Sequence, residues 1–269
     1  MAKTIGPLSV ALVEPKEPSL KPANVQVTGA TLNLLRLFQL QPADVATPPL
    51  PEGVRKVTAA EYKQAAACLA EAFAEDEVVR YPLDTPDRTH WTAQEKWDLH
   101  VEILEYVTYA HILKGLVTTV GDFEAVALWM PPDTNMDDWL TIFKSGMWRL
   151  QYRLSPEGKR RFFTEFLPLL HDTKHATLGT RDNSSWYLVY IGTSLRGRGK
   201  KHASKLIRHV TQQADKDGVP VYLESSNEKN PPIYRRYGFE TVRTVYLHRA
   251  EKNVPLDIMV REPKTIEKK

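Results

Sequence analysis

The sequence predicts an α/β protein, and three observations carry that prediction. Apolar runs of strand length recur at 116–120, 125–130 and 186–191. Longer segments between them bring apolar residues back at intervals of three and four, the period of a helix with one buried face. Turn chemistry such as GDFE, Pro131-Pro132 and DKDG separates the two kinds of segment. With 269 residues, 42% hydrophobic and 26% charged, the chain suits a globular protein with a full core, built as one domain plus an insert.

Residues 1–52 are rich in proline and show one short apolar patch, LNLLRLFQL at 32–40, so an extended arm with a docking helix is expected there. A domain is expected over 53–263 and a charged tail over 264–269. VRKVT reads as a strand, and Thr58 caps a helix in which Tyr62, Ala66, Leu69 and Phe73 share a face. A longer helix from Thr92 to Leu113 carries Leu99, Ile103, Tyr106, Ala110 and Leu113 on one stripe. LVTTV and AVALWM then form a hairpin around GDFE. Over 133–183 the pattern becomes that of a helical insert, with Trp139, Phe143, Met147 and Leu150 on one stripe and Phe163, Phe166 and Leu170 on another.

SWYLVYIG is apolar on both alternating sets of side chains, as in a strand covered on both faces, so it belongs at the centre of the sheet. The next helix buries Ala203, Leu206, Ile207, Val210 and Ala214 and stops at Gly218. VPVYLESS is a strand, PPIYRRYG a short helix opened by proline, and ETVRTVYL and LDIMVRE close the chain as strands.

The formal net charge of +3 is small for this length, so a nucleic-acid partner, which needs many phosphate contacts, is not expected. Cys68 is the one cysteine; it has no internal disulfide partner and sits in an alanine-rich helix where a small thiol packs well. No apolar run is long enough to cross a bilayer, and residues 1–20 lack a signal-peptide pattern. The expectation is a soluble protein without a membrane partner, in the cytoplasm or alternatively the nucleus, as a monomer or homodimer. His171 and His175 lie four apart, but no intervening glutamate or third ligand accompanies them, so no metal site is expected.

Chemistry concentrates in residues 185–239. The apolar strand runs into the basic turn RGRGKKHA and then a helix. Such a turn presents unpaired backbone N–H groups at a helix start, where donors and dipole both favour a bound anion. The segment NEKNPPIYRRYGFE follows the next strand. This order, with Asn227 seven residues before Tyr234 and the pattern Tyr234, Gly238, Phe239, resembles the core of the GCN5-related N-acetyltransferase (GNAT) superfamily. The closing residues Met259 to Pro263 resemble fungal members, and the insert is similar to that of antibiotic-modifying ones. The resemblance covers 185–263 most strongly and 54–132 more weakly. It implies a mixed, mostly antiparallel central sheet flanked by helices, with the insert ahead of the central strand.

The resemblance also implies acetyl-CoA as co-substrate and a small-molecule amine as acceptor. The family's pyrophosphate motif, Gln/Arg-x-x-Gly-x-Gly/Ala, maps onto Arg198, Gly199, Lys200, Lys201, His202 and Ala203, which places Lys201 at the central glycine. Reading from Arg196, with Gly197, restores Gly199 to that place and leaves Lys201 at the Gly/Ala position instead. In either register the expectation for Lys201 is that its side chain crowds the pyrophosphate, takes a costly backbone conformation or, alternatively, swings outward and adds charge; Arg196, Arg198, Lys200 and Lys201 offer cations to the cofactor's phosphates that offset some loss of fit. The strand backbone at Val189, Tyr190 and Ile191 would polarise the acetyl carbonyl and pair with the pantetheine arm, which Asn227 would hold. Tyr234 matches the general acid that protonates the departing thiolate. Its alternative is a core aromatic, as Tyr237 is expected to be. Glu224 is the candidate base for the incoming amine; its alternative is a salt-bridge partner. Trp139 and Trp148 are candidates for the acceptor pocket, which residues 76–110 and 133–183 would build.

Three functions fit this reading. The leading one is acetyl transfer to a primary amine by direct attack. The runner-up is an acyl-CoA-binding or regulatory protein that has lost catalysis, and the third is a basic nucleic-acid or chromatin adaptor.

Overall fold

The computed structural model describes residues 49–136 and 138–264. The expected arm, apart from 49–52, and the tail beyond Lys264 lie outside the described residues. The first strand, β1 (Val54–Lys56), leads through a Thr58–Glu61 capping box into α1 (Tyr62–Ala72). The short α2 (Glu77–Arg80) is capped by Asp76. The long α3 (Ala93–Lys114) begins at Thr92, whose hydroxyl accepts the Glu95 N–H at 3.2 Å while Glu95 accepts the Thr92 N–H at 2.8 Å. This reciprocal cap satisfies donors that the helix cannot. A Thr92→Ala protein loses about 1 kcal/mol of unfolding free energy, to be read from urea denaturation.

Strands β2 (Leu116–Val120) and β3 (Ala125–Met130) pair antiparallel around the predicted turn. After the insert come β4 (Trp186–Thr193), then, across a basic turn, helix 202–217, β5 (Val221–Ser225), a short helix, β6 (Glu240–Leu247) and β7 (Val254–Arg261). The sheet has the order β1-β2-β3-β4-β5-β7-β6, so β4 is central as its two-sided apolar pattern predicts. β4 and β5 are parallel, and every other neighbouring pair is antiparallel.

Two cores follow from the alternation along the strands. Val117, Val126 and Leu128 face α1 and α3, meeting Leu69, Leu99 and Leu104. Leu116, Trp129, Trp186 and Leu188 face the other way, onto Leu206, Ile207 and Val210 of the helix after β4. A fully buried leucine contributes about 2 kcal/mol, so these layers fix which side of the sheet each loop reaches. Cys68 is buried beside α3, and desolvation pushes its thiol up to about 11, which keeps it an inert packing group.

The insert corrects one expectation. Trp139, Phe143, Met147 and Leu150 do not share a helix, because α4 (Trp139–Ser145) ends at Gly146, whose φ of 86° turns the chain left-handed. Leu150 is buried, but Trp139 is 73% and Phe143 57% exposed. After α5 (Leu150–Arg153) and α6 (Pro156–Lys159), residues Arg160–Phe166 form a π-helical turn that runs into α7 (Leu167–Leu178). Pro168 lacks the N–H for a regular ladder there, and the wider turn accommodates its ring. The buried Arg161 fastens the insert to its surroundings. Its guanidinium donates to the carbonyls of Tyr81 and Asp84, each at 3.0 Å, and of Arg249 at 2.5 Å.

Candidate active site

The central strand opens the site. β4 pairs with β5 only at Trp186–Leu188, and the strands then part. On its other edge β4 is bulged, since Leu128 faces Tyr190 while Trp129 faces Leu188, which leaves Val189 as the extra residue. Such a bulge twists and re-aims a strand. Ile191 therefore packs with the core beneath the helix after β4, while Tyr190 turns toward α1 and meets Phe73 edge-on at 5.3 Å. A cleft of about 430 Å³ lies where the strands part, bordered by Ile191 to Thr193, Asn227 and Tyr234.

One end of the cleft is the basic turn. It closes into α8 (His202–Asp217), whose N-cap is Lys201 at φ 62°, ψ 23°. Left-handed backbone at a residue with a Cβ costs about 1 kcal/mol. Arg198, Ala203 and Ile207 border the cleft, and both Gly199, at φ 79°, and Lys201 are left-handed, so the backbone meets the demand of a central glycine in either register. Lys201→Gly stabilises the fold by about 1 kcal/mol, a rise in Tm of roughly 2–4 °C, measurable by calorimetry.

The turn's other cations are already engaged. Lys200 Nζ and His202 Nε2 contact the Glu124 carboxylate at 2.9 and 2.6 Å, and Arg196 donates to the Asp122 carbonyl and pairs with its carboxylate at 3.6 Å. Gly197 packs so closely on the Glu124 carbonyl that a Cβ has no room. Of the cations predicted to bind cofactor, Arg198 is the one in the cleft wall, and Lys201 is exposed.

At the other side stands α9 (Pro231–Arg235), which carries Tyr234. The ring is 9% exposed and packs on Phe239 at 5.9 Å. Burial, and then the charge of Asp76, raise its phenol well above the ordinary range, so it remains a proton donor. Asn227 sits at the start of the loop, where its Oδ1 accepts the Lys229 N–H at 3.0 Å. Tyr237, the predicted core aromatic, packs partly buried against the core beneath α8.

Glu224 is on β5, on the face away from α8, with Tyr187 and Tyr222. It does not border the cleft. Burial pushes its carboxyl up to about 7, against the pull of the two phenols and Lys174. Its Oε1 and the Tyr222 hydroxyl are buried without a hydrogen bond of ordinary geometry.

Asp76 was missed by sequence reasoning. It borders the cleft, accepts the Val78 and Val79 N–H groups at 3.0 and 3.1 Å, and receives the Ser226 hydroxyl at 2.5 Å. The available signal was an acidic N-cap ahead of EVVR; its partner lies 150 positions away. The structure does not bring Trp139 and Trp148 to the cleft. Trp148 stacks on Phe143 at 6.3 Å on the insert surface. His175 and Lys174 both contact Asp182, and among the described residues no group of acidic, His or Cys side chains could hold a metal. None of the described helices is long and apolar enough to cross a membrane.

Comparison with known proteins gives a family and several relatives. Residues 171–242 match the family described as acetyltransferase (GNAT) domain. An uncharacterized N-acetyltransferase of Schizosaccharomyces pombe is 48% identical over 211 residues, covering 78% of this chain and 83% of that one. Among solved structures, a histone acetyltransferase HPA2 and related acetyltransferase from Corynebacterium glutamicum is 19% identical, covering 82% of this chain and 99% of the other with a TM-score of 0.48. Arylalkylamine N-acetyltransferase 2 from Aedes aegypti is 15% identical over 78% of this chain and 98% of its own, with a TM-score of 0.49. A seven-stranded sheet parted beside its central strand, a tyrosine and a basic helix start on one cleft, and a relative nearly half identical lead to one conclusion: this chain belongs to the GNAT N-acetyltransferases.

Proposed function

We propose that the protein transfers acetyl from acetyl-CoA to a primary amine by direct attack within a ternary complex. The observation that carries this reading is the single cleft shared by the Tyr234 side chain, the parted edge of β4 and the start of α8. Arg198 and the N–H groups of the turn suit a pyrophosphate. The unpaired edge of β4 beyond Leu188 suits the extended amides of the pantetheine arm, with Asn227 beside it, because open strand edges pair with extended amides.

In the reaction the amine gives its proton to Glu224 by way of water, since that carboxyl does not border the cleft, and its lone pair forms the N–C bond. The carbonyl oxygen takes the C=O π electrons next to the Val189–Ile191 backbone. When the C–S bond breaks, the sulfur leaves with its electrons and receives a proton from Tyr234. Burial of Glu224 gives a base poised near neutral pH.

The runner-up, an acyl-CoA-binding protein without catalysis, draws on Lys201 in its left-handed conformation. Calorimetric titration with acetyl-CoA, followed by assay of free thiol with and without a primary amine, separates the two. Saturable one-to-one binding with amine-dependent thiol release supports the transferase; binding without release supports the runner-up; no binding overturns both. Relief of crowding in Lys201→Gly tightens the acetyl-CoA Kd about fivefold, roughly 1 kcal/mol, and an unchanged Kd would show that the lysine points clear of the phosphates.

A further inference from the structure

Lys201 holds a left-handed backbone without the glycine that this conformation favours, and such a residue persists only where its surroundings over-determine it. Both of its neighbours are tied to one carboxylate. Lys200 Nζ lies 2.9 and 3.0 Å from the two Glu124 oxygens, and His202 Nε2 lies 2.6 Å from Oε2. The chain is therefore pinned on both sides of Lys201. The His202 side chain is nearly enclosed, 13% exposed, so that contact is screened less than one between surface ions.

The backbone of Glu124 holds the other half of the turn. Its carbonyl accepts the Ser194 N–H at 2.9 Å and the Ser194 hydroxyl at 3.2 Å, and Gly197 packs on that same carbonyl. One residue of the β2–β3 hairpin thus meets Ser194, Gly197, Lys200 and His202, spread over the turn that carries Arg198 into the cleft wall. Asp122, in the same hairpin, meets the turn through Arg196.

We infer that Glu124 is a positioning residue for acetyl-CoA: its carboxylate, acting through Lys200 and His202, holds Lys201 in the left-handed conformation that the pyrophosphate turn requires. This deepens the acetyl-CoA reading above and rests on it. It also accounts for a lysine where the family's motif has glycine or alanine. The conformation is imposed from the neighbouring hairpin rather than supplied by the residue itself.

The test is a double-mutant cycle read by calorimetric titration with acetyl-CoA, which needs no turnover. Glu124→Gln leaves one acceptor oxygen for two donors and cannot hold both neighbours of Lys201. The backbone carbonyl stays, so the hairpin keeps its contacts with Ser194 and Gly197. Without the carboxylate, Lys201 relaxes to right-handed backbone, the binding-competent turn becomes the minor form, and the Kd rises about fivefold. Lys201→Gly removes the penalty that the carboxylate opposes. In that background Glu124→Gln changes the Kd by less than about twofold. Asp122→Asn deletes the same charge from the same hairpin, away from Lys200 and His202, and does not weaken binding.

A tighter Kd in Glu124→Gln means that the carboxylate competes with phosphate for its partners. An equal weakening in both backgrounds, or in Asp122→Asn, means that it acts by charge or general stability. Either result, or an unchanged Kd, overturns the assignment and leaves acetyl-CoA binding standing. Wild-type protein that binds no acetyl-CoA removes the cofactor reading, and this role with it.

Discussion

Tyr234→Phe slows single-turnover acetyl transfer about a thousandfold, close to 4 kcal/mol of barrier, while the acetyl-CoA Kd stays where it was. The change deletes one oxygen. The ring still packs on Phe239, and the cofactor is expected to be held by the turn, Arg198 and the β4 edge, none of which the hydroxyl supports. Thiolate expulsion, by contrast, then has no proton source in the cleft wall. Because burial and Asp76 hold the phenol protonated well beyond neutral pH, the donor is in its working form throughout the assay range. The loss therefore does not vary between about pH 6 and 9. A turnover within about twofold of wild type removes Tyr234 from the chemistry.

Glu224→Gln gives the second large effect, a drop in kcat of about a hundredfold together with the loss of one limb of the pH profile. The sign follows from the shift. Burial raises the carboxyl to about 7, so below that pH it is protonated and unable to accept the amine proton. Wild-type kcat accordingly rises through about pH 7, and a further rise above it belongs to the amine. An alkylamine free in water loses its own proton only near about pH 10, where a lysine does, so the two ionisations separate. The glutamine variant lacks the limb near 7 and keeps the one set by the amine. If its profile retains the lower limb, the base is another group.

Much of the scaffold was written in local patterns. LVTTV and AVALWM alternate around a turn and emerge as β2 and β3; WYLVYIG is apolar on both faces and emerges as the central strand. Thr92 and Gly218 mark helix ends by side-chain chemistry alone. What escaped was set by partners far along the chain. Nothing in WYLVYIG marks Val189 as a bulge, because the bulge is a mismatch with β3. The basic turn looked like a row of free cations. In the fold, Glu124, 76 and 78 positions away, engages Lys200 and His202 and leaves Arg198 to the cleft. Asp76 carries only the local signal of a helix cap, which it is; its bond to the Ser226 hydroxyl, 150 positions away, has no local signal. In the insert, the aromatic spacing suggested a buried stripe, but Gly146 interrupts the helix that would have buried it.

Arg161 bears on how such proteins can diversify. Its guanidinium is nearly enclosed, and the carbonyls that receive it come from Tyr81 and Asp84 on one side of the insert in sequence and Arg249 on the other. Segment 133–183 consequently does not behave as an exchangeable cassette. A chimera carrying this insert into a relative with a differently shaped 81–84 loop or 247–254 hairpin leaves the buried guanidinium with only Glu157, its partner within the insert at 3.4 Å, and without the three carbonyls, at a cost of several kcal/mol. Recombination at this fold's insert is productive only when all three segments travel together, so new acceptor preferences in this lineage are expected to arise from point changes on the cleft wall rather than from swapped modules.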